Sequence, residues 1–223
     1  MPNKLTGFKA VITGGSDGLG LAMAQALLAE GATVALAARP SAKLVKAVST
    51  LQQEGMDAHA LPLDVRSEQS VTEAVAWVKE QWGQVDLLVN NAGIGMGRVN
   101  PKFSTEPQPF FTASAAGFRD VVETNFTGYF LVAKGFVPMM IEQGKGRIVN
   151  VSTSLQTMTR KGMSPYGPAR AGAEALSQIM TAELKEHGIS VNLLLPGGAA
   201  DTGLIPEELR EEFRKRPNLL QPD

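Results

Sequence analysis

The sequence predicts an α/β protein organised on a doubly wound parallel sheet, with helices covering both faces in three layers. Three observations predict it. Segments of strand and helix character alternate along most of the 223 residues, and that rhythm implies right-handed crossovers between parallel strands. After Thr33, the stretch Val34-Ala35-Leu36-Ala37 is continuously apolar rather than alternating, as strands are when helices bury both of their faces. Finally, Thr13-Gly14-Gly15-Ser16-Asp17-Gly18-Leu19-Gly20 joins the apolar run Ala10-Val11-Ile12 to an Ala/Leu-rich helical pattern. Its glycines permit positive φ and close approach of a ligand, and the first amides of the helix point at the same place, a geometry suited to a pyrophosphate.

Taken in order, Phe8 to Thr13 is the first strand, and Leu19 to Glu30 a helix closed by Gly31. Thr33 to Ala37 is the second strand. Ser41 caps a helix carrying Leu44, Val48 and Leu51 at helical spacing, and Ala58 to Leu63 is the third strand. Ser67 caps the helix of Val71, Ala74, Val75 and Val78, which leads to a fourth strand, Val85 to Asn90. Residues 94 to 115 have neither period and contain Pro101, Pro107 and Pro109, which marks a substrate-side loop. A long helix is expected from Phe118 to Gln143, with Pro138 marking a kink or an early end. The fifth strand is Arg147 to Val151, a helix follows from Tyr166 to His187, and the sixth strand is Ile189 to Leu195 before Pro196-Gly197-Gly198. The charged segment Pro206 to Lys215 is helical in pattern and Pro217 ends it. No interdomain linker interrupts this order, so residues 1–223 are expected to form a single dinucleotide-binding and catalytic domain.

Composition narrows the partners. With 21 basic and 22 acidic residues and no block of like charge, nothing draws the chain to nucleic acid or an anionic membrane. No apolar run approaches the roughly 20 residues of a membrane span, so a soluble protein is expected, and the lack of cysteine fits a cytoplasmic setting. The absence of cysteine excludes disulfides, thiolate nucleophiles and thiolate metal ligands. His59 and His187 each stand alone, a pattern of surface or capping histidines, so no metal site is expected.

The glycine turn Thr13-Gly14-x-x-x-Gly18-x-Gly20, the Asn90-Asn91-Ala92-Gly93 turn after the fourth strand, and Tyr166 at the start of a long helix together resemble the short-chain dehydrogenase/reductase family over essentially the whole chain. The resemblance implies a Rossmann fold, a nicotinamide cofactor and hydride transfer between an alcohol and a carbonyl. It places Gly14, Ser16, Asp17, Gly18, Leu19 and Gly20 against the pyrophosphate, Asp64 and Val65 near the adenine, and Asn91, Ala92 and Gly93 along the cofactor. Pro196, Gly197 and Thr202 complete that cofactor set, to which Tyr166 and Arg170 also belong. An NAD enzyme carries a carboxylate after the second strand, whereas here Ala38-Arg39 stands there. Arg39 can pair with a 2′-phosphate, so NADP is favoured over NAD, although Asp17 occupies a position where several NADP-dependent relatives carry a basic residue.

By the same resemblance Tyr166 exchanges a proton with the substrate oxygen. A phenol is a poor acid-base group at neutral pH unless a neighbouring cation favours its ionised form. The family supplies a lysine one helical turn on; this chain has Arg170, which keeps the charge but has a larger head and cannot relay a proton. Of Ser152, Thr153 and Ser154, the family's interval before the tyrosine points to Thr153 for orienting the substrate, with Ser154 the alternative. Asn125 matches the asparagine that kinks the preceding helix. Met96, Phe103, Phe110, Phe111, Met158 and Met163 flank the expected pocket and point to an apolar carbonyl or alcohol as the small-molecule partner. The family also implies a homo-oligomer, dimer or tetramer, and a further helix and seventh strand that this sequence lacks. That would leave the sixth strand as a sheet edge.

Two other readings compete. Gly14-Gly15-Ser16-Asp17-Gly18 fits the G-x-S-x-G elbow of serine hydrolases, with His187 as base. The departure at Arg170 also fits a cofactor-binding regulatory protein with an impaired active site.

Overall fold

The computed structural model describes residues 4–198, 200–215 and 219–222. Six strands, β1 (Lys9–Thr13), β2 (Thr33–Ala38), β3 (Ala58–Pro62), β4 (Leu87–Asn90), β5 (Gly146–Val151) and β6 (Ile189–Leu194), form one parallel sheet in the order β3-β2-β1-β4-β5-β6. The helices are α1 (Gly18–Ala29), α2 (Ala42–Gln53), α3 (Glu68–Trp82), α4 (Ala115–Val122), α5 (Gly128–Gln143), α6 (Leu155–Met158), α7 (Tyr166–Leu184) and α8 (Glu207–Arg214). Because the strand order reverses between β1 and β4, a crevice opens at their carboxyl ends, the place where open α/β sheets bind ligands.

The two-residue period of the strands sorts the core into two layers. Ala10, Ile12, Val34 and Leu36 face α1 and α2, where Ala24, Leu28, Leu44, Val48 and Leu51 meet them. Val11, Ala35 and Ala37 face the other way, toward Val78 of α3, Phe136 and Met140 of α5 and Met180 of α7. Each large aliphatic or aromatic side chain buried in this manner contributes about 1.5–3 kcal/mol. Ser41 and Ser67 start their helices as expected, accepting from the amides of Leu44 and Ser70 at 3.2 Å. At the sheet edge, β6 buries Ile189 and Val191 but exposes Ser190 and Asn192, because only one of its faces is covered among the described residues.

The expected helix over 118–143 is instead three pieces. α4 passes into a π-helical turn, Glu123–Thr127, and then into α5. Asn125 is buried in that turn, where its Oδ1 accepts from the amide of Ile94 at 2.8 Å and its Nδ2 donates to the Ile94 carbonyl at 2.9 Å. α5 runs through Pro138 to Gln143 rather than ending early, its turn around the proline anchored by the buried Phe136, Met139 and Met140. Within 94–115 two short 3-10 turns form, Met96–Arg98 and Phe110–Thr112. No helix among the described residues is long and apolar enough to cross a membrane.

Candidate active site

At the crevice, Thr13 and Asn91 tie β1 to β4. The buried Thr13 Oγ1 donates to the Val89 carbonyl at 3.2 Å and accepts from the amides of Asn91 and Ala92 at 2.9 and 3.0 Å. Asn91 Nδ2 in turn donates to the Thr13 carbonyl at 2.9 Å. The predicted cofactor residue Asn91 therefore uses its amide to hold the glycine turn in place. Gly20 packs so closely on that turn that a Cβ would come within 2.2 Å of the Gly14 carbonyl oxygen.

Two cavities flank this seam. The larger, about 670 Å³, is lined by Gly14, Ser16, Arg39, Asp64, Val65, Ala92 and Gly93 of the predicted set. The smaller, about 260 Å³, brings together Leu19, Asn91, Thr153, Ser154, Tyr166, Arg170, Pro196, Gly197 and Thr202. Asp17, Gly18, Gly20 and Asn125 line neither; they shape the walls. Thr202 packs against Gly18, placing the segment after β6 over the glycine turn.

The larger cavity is basic at the end of β2. Arg39 has no ion pair among the described residues, and Lys43, in the first turn of α2, lines the same space. Lys43 also pairs with Asp17, so the acidic group that weighed against a 2′-phosphate is neutralised from α2. Sequence reading missed Lys43; its position four residues after Arg39 was the available signal. Asp64 forms a two-point pair with Arg66, at 2.7 and 3.0 Å, which holds its carboxyl below the usual carboxylate range.

In the smaller cavity the three hydroxyls separate. Ser152 is buried and donates to Glu174 Oε1 at 2.6 Å, and Ser154 caps α6 by accepting from the Thr157 amide at 3.2 Å. Thr153 lines the cavity with Tyr166 and makes neither of those bonds. Tyr166 opens α7, and Arg170 follows on the same face one turn later.

Arg170 is only 2% exposed, far from the exposed helical arginine that its type usually provides. Its guanidinium lies 5.3 Å from the ring centroid of Tyr166 and 5.4 Å from that of Tyr129, the chain's other tyrosine. Nη1 donates to the Tyr129 hydroxyl at 2.6 Å and to the Val151 carbonyl at 2.8 Å, and that hydroxyl donates to the same carbonyl at 3.1 Å. Nη2 lies under Gly93, where a Cβ would approach it to 2.7 Å, so Arg170 stands at the division between the two cavities. Burial works against its charge, but the two phenols hold the proton and its pKa lies above the usual arginine value. Burial likewise pushes the Tyr129 phenol up, with Arg170 opposing. The bulky fork has thus turned aside into the protein, and Tyr129, unmarked in the sequence, is what receives it.

The segment carrying α8 roofs the smaller cavity. Ile205, Leu209 and Phe213 pack with Phe103, and Asp201 accepts from Arg214 Nε at 2.8 Å. Of the predicted apolar flank, Met96, Phe103 and Met163 line the cavity and Met158 is buried behind it. Phe110 and Phe111 do not line it: each is 75% exposed, because their 3-10 turn has nothing packed over it among the described residues. The hydrolase geometry fails as well. His187 sits in the turn before β6, at the amino ends of the strands, whereas Ser16 lies at their carboxyl ends.

A six-stranded Rossmann-type sheet with a glycine turn at its switch point and a tyrosine–cation pair beside it defines a dinucleotide-dependent oxidoreductase. The chain belongs to the short chain dehydrogenase family, whose model matches residues 9–212. It is 32% identical to a gluconate 5-dehydrogenase of Gluconobacter oxydans over 86% of this chain and 72% of that protein. It is 30% identical to a 5-keto-D-gluconate 5-reductase of Escherichia coli, again over 86% and 72% of the two chains. Among solved structures, a gluconate 5-dehydrogenase from Burkholderia cenocepacia in complex with NADP and tartrate superposes with a TM-score of 0.80 at 29% identity, covering 91% of this chain and 75% of that one.

Proposed function

We propose that this protein is an NADP(H)-dependent oxidoreductase interconverting a ketone and a secondary alcohol, with Tyr166 as its acid-base group. The observation that carries the reading is the juxtaposition of Tyr166, Thr153 and the buried Arg170 along one cavity that adjoins the glycine turn. The donor set fits the cofactor. Arg39, unpaired among the described residues, and Lys43 supply the positive charge a 2′-phosphate requires, and the close-packed glycine turn offers backbone amides to a pyrophosphate. The NADP complex of the Burkholderia relative supports the same choice.

Gly14, Ser16, Ala92 and Gly93 would hold the nucleotide, with Pro196, Gly197 and Thr202 closing on it from the roof. Bound there, the nicotinamide supplies or accepts the hydride. In the reductive direction the Tyr166 hydroxyl gives its proton to the carbonyl oxygen as that oxygen becomes an alcohol, and Thr153 donates a hydrogen bond that fixes the oxygen's position. Arg170 holds a fixed positive charge against the Tyr166 ring, which stabilises negative charge on the phenol oxygen while its proton is transferred. Since a guanidinium does not release its proton at working pH, Tyr166 must be reprotonated from solvent by a route that bypasses residue 170.

A panel of ketones and secondary alcohols assayed with NADPH, NADH and their oxidised forms tests the reading. Turnover with the phosphorylated cofactor preferred supports it. Tight NADPH binding with no substrate-dependent oxidation across the panel would overturn it in favour of a regulatory protein.

A further inference from the structure

Among the described residues, the cavity beside Tyr166 is lined by two cationic side chains, Arg160 and Arg170, and by no carboxylate. The two differ in what they are free to do. Arg170 is enclosed, with Nη1 committed to Tyr129 and Val151. Arg160 lies on the loop between α6 and α7, exposed overall, where the cavity meets solvent. The one described hydrogen bond of its side chain runs from Nη2 to the Met163 sulfur at 3.4 Å, and a thioether is a weak acceptor.

Three other arginines around the crevice have carboxylate partners, Arg66 with Asp64, Arg98 with Asp120 and Arg214 with Asp201, whereas Arg39 in the larger cavity has none among the described residues. No ion pair among the described residues includes Arg160. The Arg160 fork, without a carboxylate, shares the cavity with the apolar side chains of Met96, Phe103, Met163 and Ile205 and with the hydroxyls of Thr153, Ser154 and Tyr166, and leaves its described lining electropositive. The planar fork matches the two oxygens of a carboxylate and can pair with them at two points.

We propose that Arg160 anchors a carboxylate of the substrate, so that the substrates are short oxo acids and the corresponding hydroxy acids. The proposal rests on the oxidoreductase reading above and names its substrate class. The reacting carbon lies toward Tyr166 and Thr153, and the charged end toward Arg160. A volume of about 260 Å³ is below the usual range for drug-sized ligands, which suits a short chain. The apolar walls expected from the sequence then surround the carbon frame, and the polar end of the ligand is the part that sequence reading did not anticipate.

The test uses pyruvate, levulinate and 5-oxohexanoate, each against its methyl ester, with dihydroxyacetone phosphate as a phosphate-bearing ketone. Binding to the NADPH-loaded full chain is measured by calorimetry, and NADPH oxidation is followed in parallel. At least one acid should bind tenfold or more tightly than its ester. Arg160→Met should bring that ratio close to one, Arg160→Lys should retain part of it, and all three proteins should bind NADPH alike. Acids that bind no better than their esters, or an acid preference that survives Arg160→Met, would overturn the proposal. Preference for the phosphate over every acid would overturn the carboxylate assignment. Because binding is read directly, an acid preference that vanishes in Arg160→Met upholds the anion site even without turnover, an outcome that would instead contradict the reductase reading.

Discussion

Tyr129 and Arg170, 41 residues apart in sequence, are joined by a 2.6 Å hydrogen bond from Nη1 to the phenol oxygen, and both reach the carbonyl of Val151 at the end of β5. The residue that departs from the family's pattern is therefore built into the core. Among the described residues its charge has no carboxylate partner; it rests on two aromatic faces and two oxygen acceptors, an arrangement in which cation–π attraction and charged hydrogen bonds offset part of the desolvation.

This pairing reverses what size alone implies for Arg170→Lys. A lysine would place its ammonium differently and leave the buried Tyr129 hydroxyl without its donor, a loss of about 1–3 kcal/mol. The variant is expected to melt lower and to turn over about tenfold more slowly, rather than faster. In a double-mutant cycle, Tyr129→Phe should recover part of the stability lost in Arg170→Lys, with a coupling of at least ~0.5 kcal/mol. Additive losses would show that the two residues act independently.

For the cofactor, Arg39→Ala should weaken NADPH by about 1.5–3 kcal/mol and NADH by much less, since the lost group would have paired a phosphate that NADH lacks. Lys43→Ala should show the same selectivity with a smaller loss, because Asp17 already shares that ammonium. Equal losses for both cofactors in both variants would remove the 2′-phosphate assignment.

Among the hydroxyls, Thr153→Ala and Ser154→Ala should differ in kind. The first is expected to lower kcat by 10²-fold or more with the melting temperature nearly preserved, on the scale of a lost oxyanion donor. The second removes the cap of α6 and should cost about 1 kcal/mol of stability with a modest effect on rate. The opposite pattern would transfer the orienting role to Ser154.

Asn125 satisfies both backbone groups of Ile94, next to the Ala92-Gly93 turn proposed to hold the cofactor. Asn125→Ala leaves that amide and carbonyl without partners and should destabilise the fold by roughly 2–4 kcal/mol. Urea unfolding measures it, and a loss below 0.5 kcal/mol would show that Ile94 finds other partners.

The parts of this account that were legible in the sequence are those with local signatures. Ser41 and Ser67 precede their helices, the apolar runs of β1 and β2 announce a sheet covered on both sides, and the glycine turn sits at the one place where strand order reverses. Asn125 was found only through the family's pattern, because a helical asparagine alone does not announce a π turn. Tyr129 carried no signal: in an apolar helix an aromatic residue reads as core, and its partner lies on another helix. Arg160 and the roof formed by α8 depend on how loops fold over the crevice, which hydrophobic periodicity does not encode. Phe110 and Phe111 misled for the converse reason, since large apolar residues in a loop were read as pocket and the fold leaves them at the surface.

The most direct test of the account is Tyr166→Phe, assayed by NADPH oxidation with the best carbonyl from the panel and by NADPH binding. The ring remains to pack on Arg170, and the hydroxyl is lost together with its exchangeable proton. The account predicts a fall in kcat of at least 10³-fold, equivalent to about 4 kcal/mol of barrier, with the NADPH dissociation constant within threefold of the parent. A variant that retains more than a tenth of the parental kcat would contradict the assignment of Tyr166 as the acid-base group.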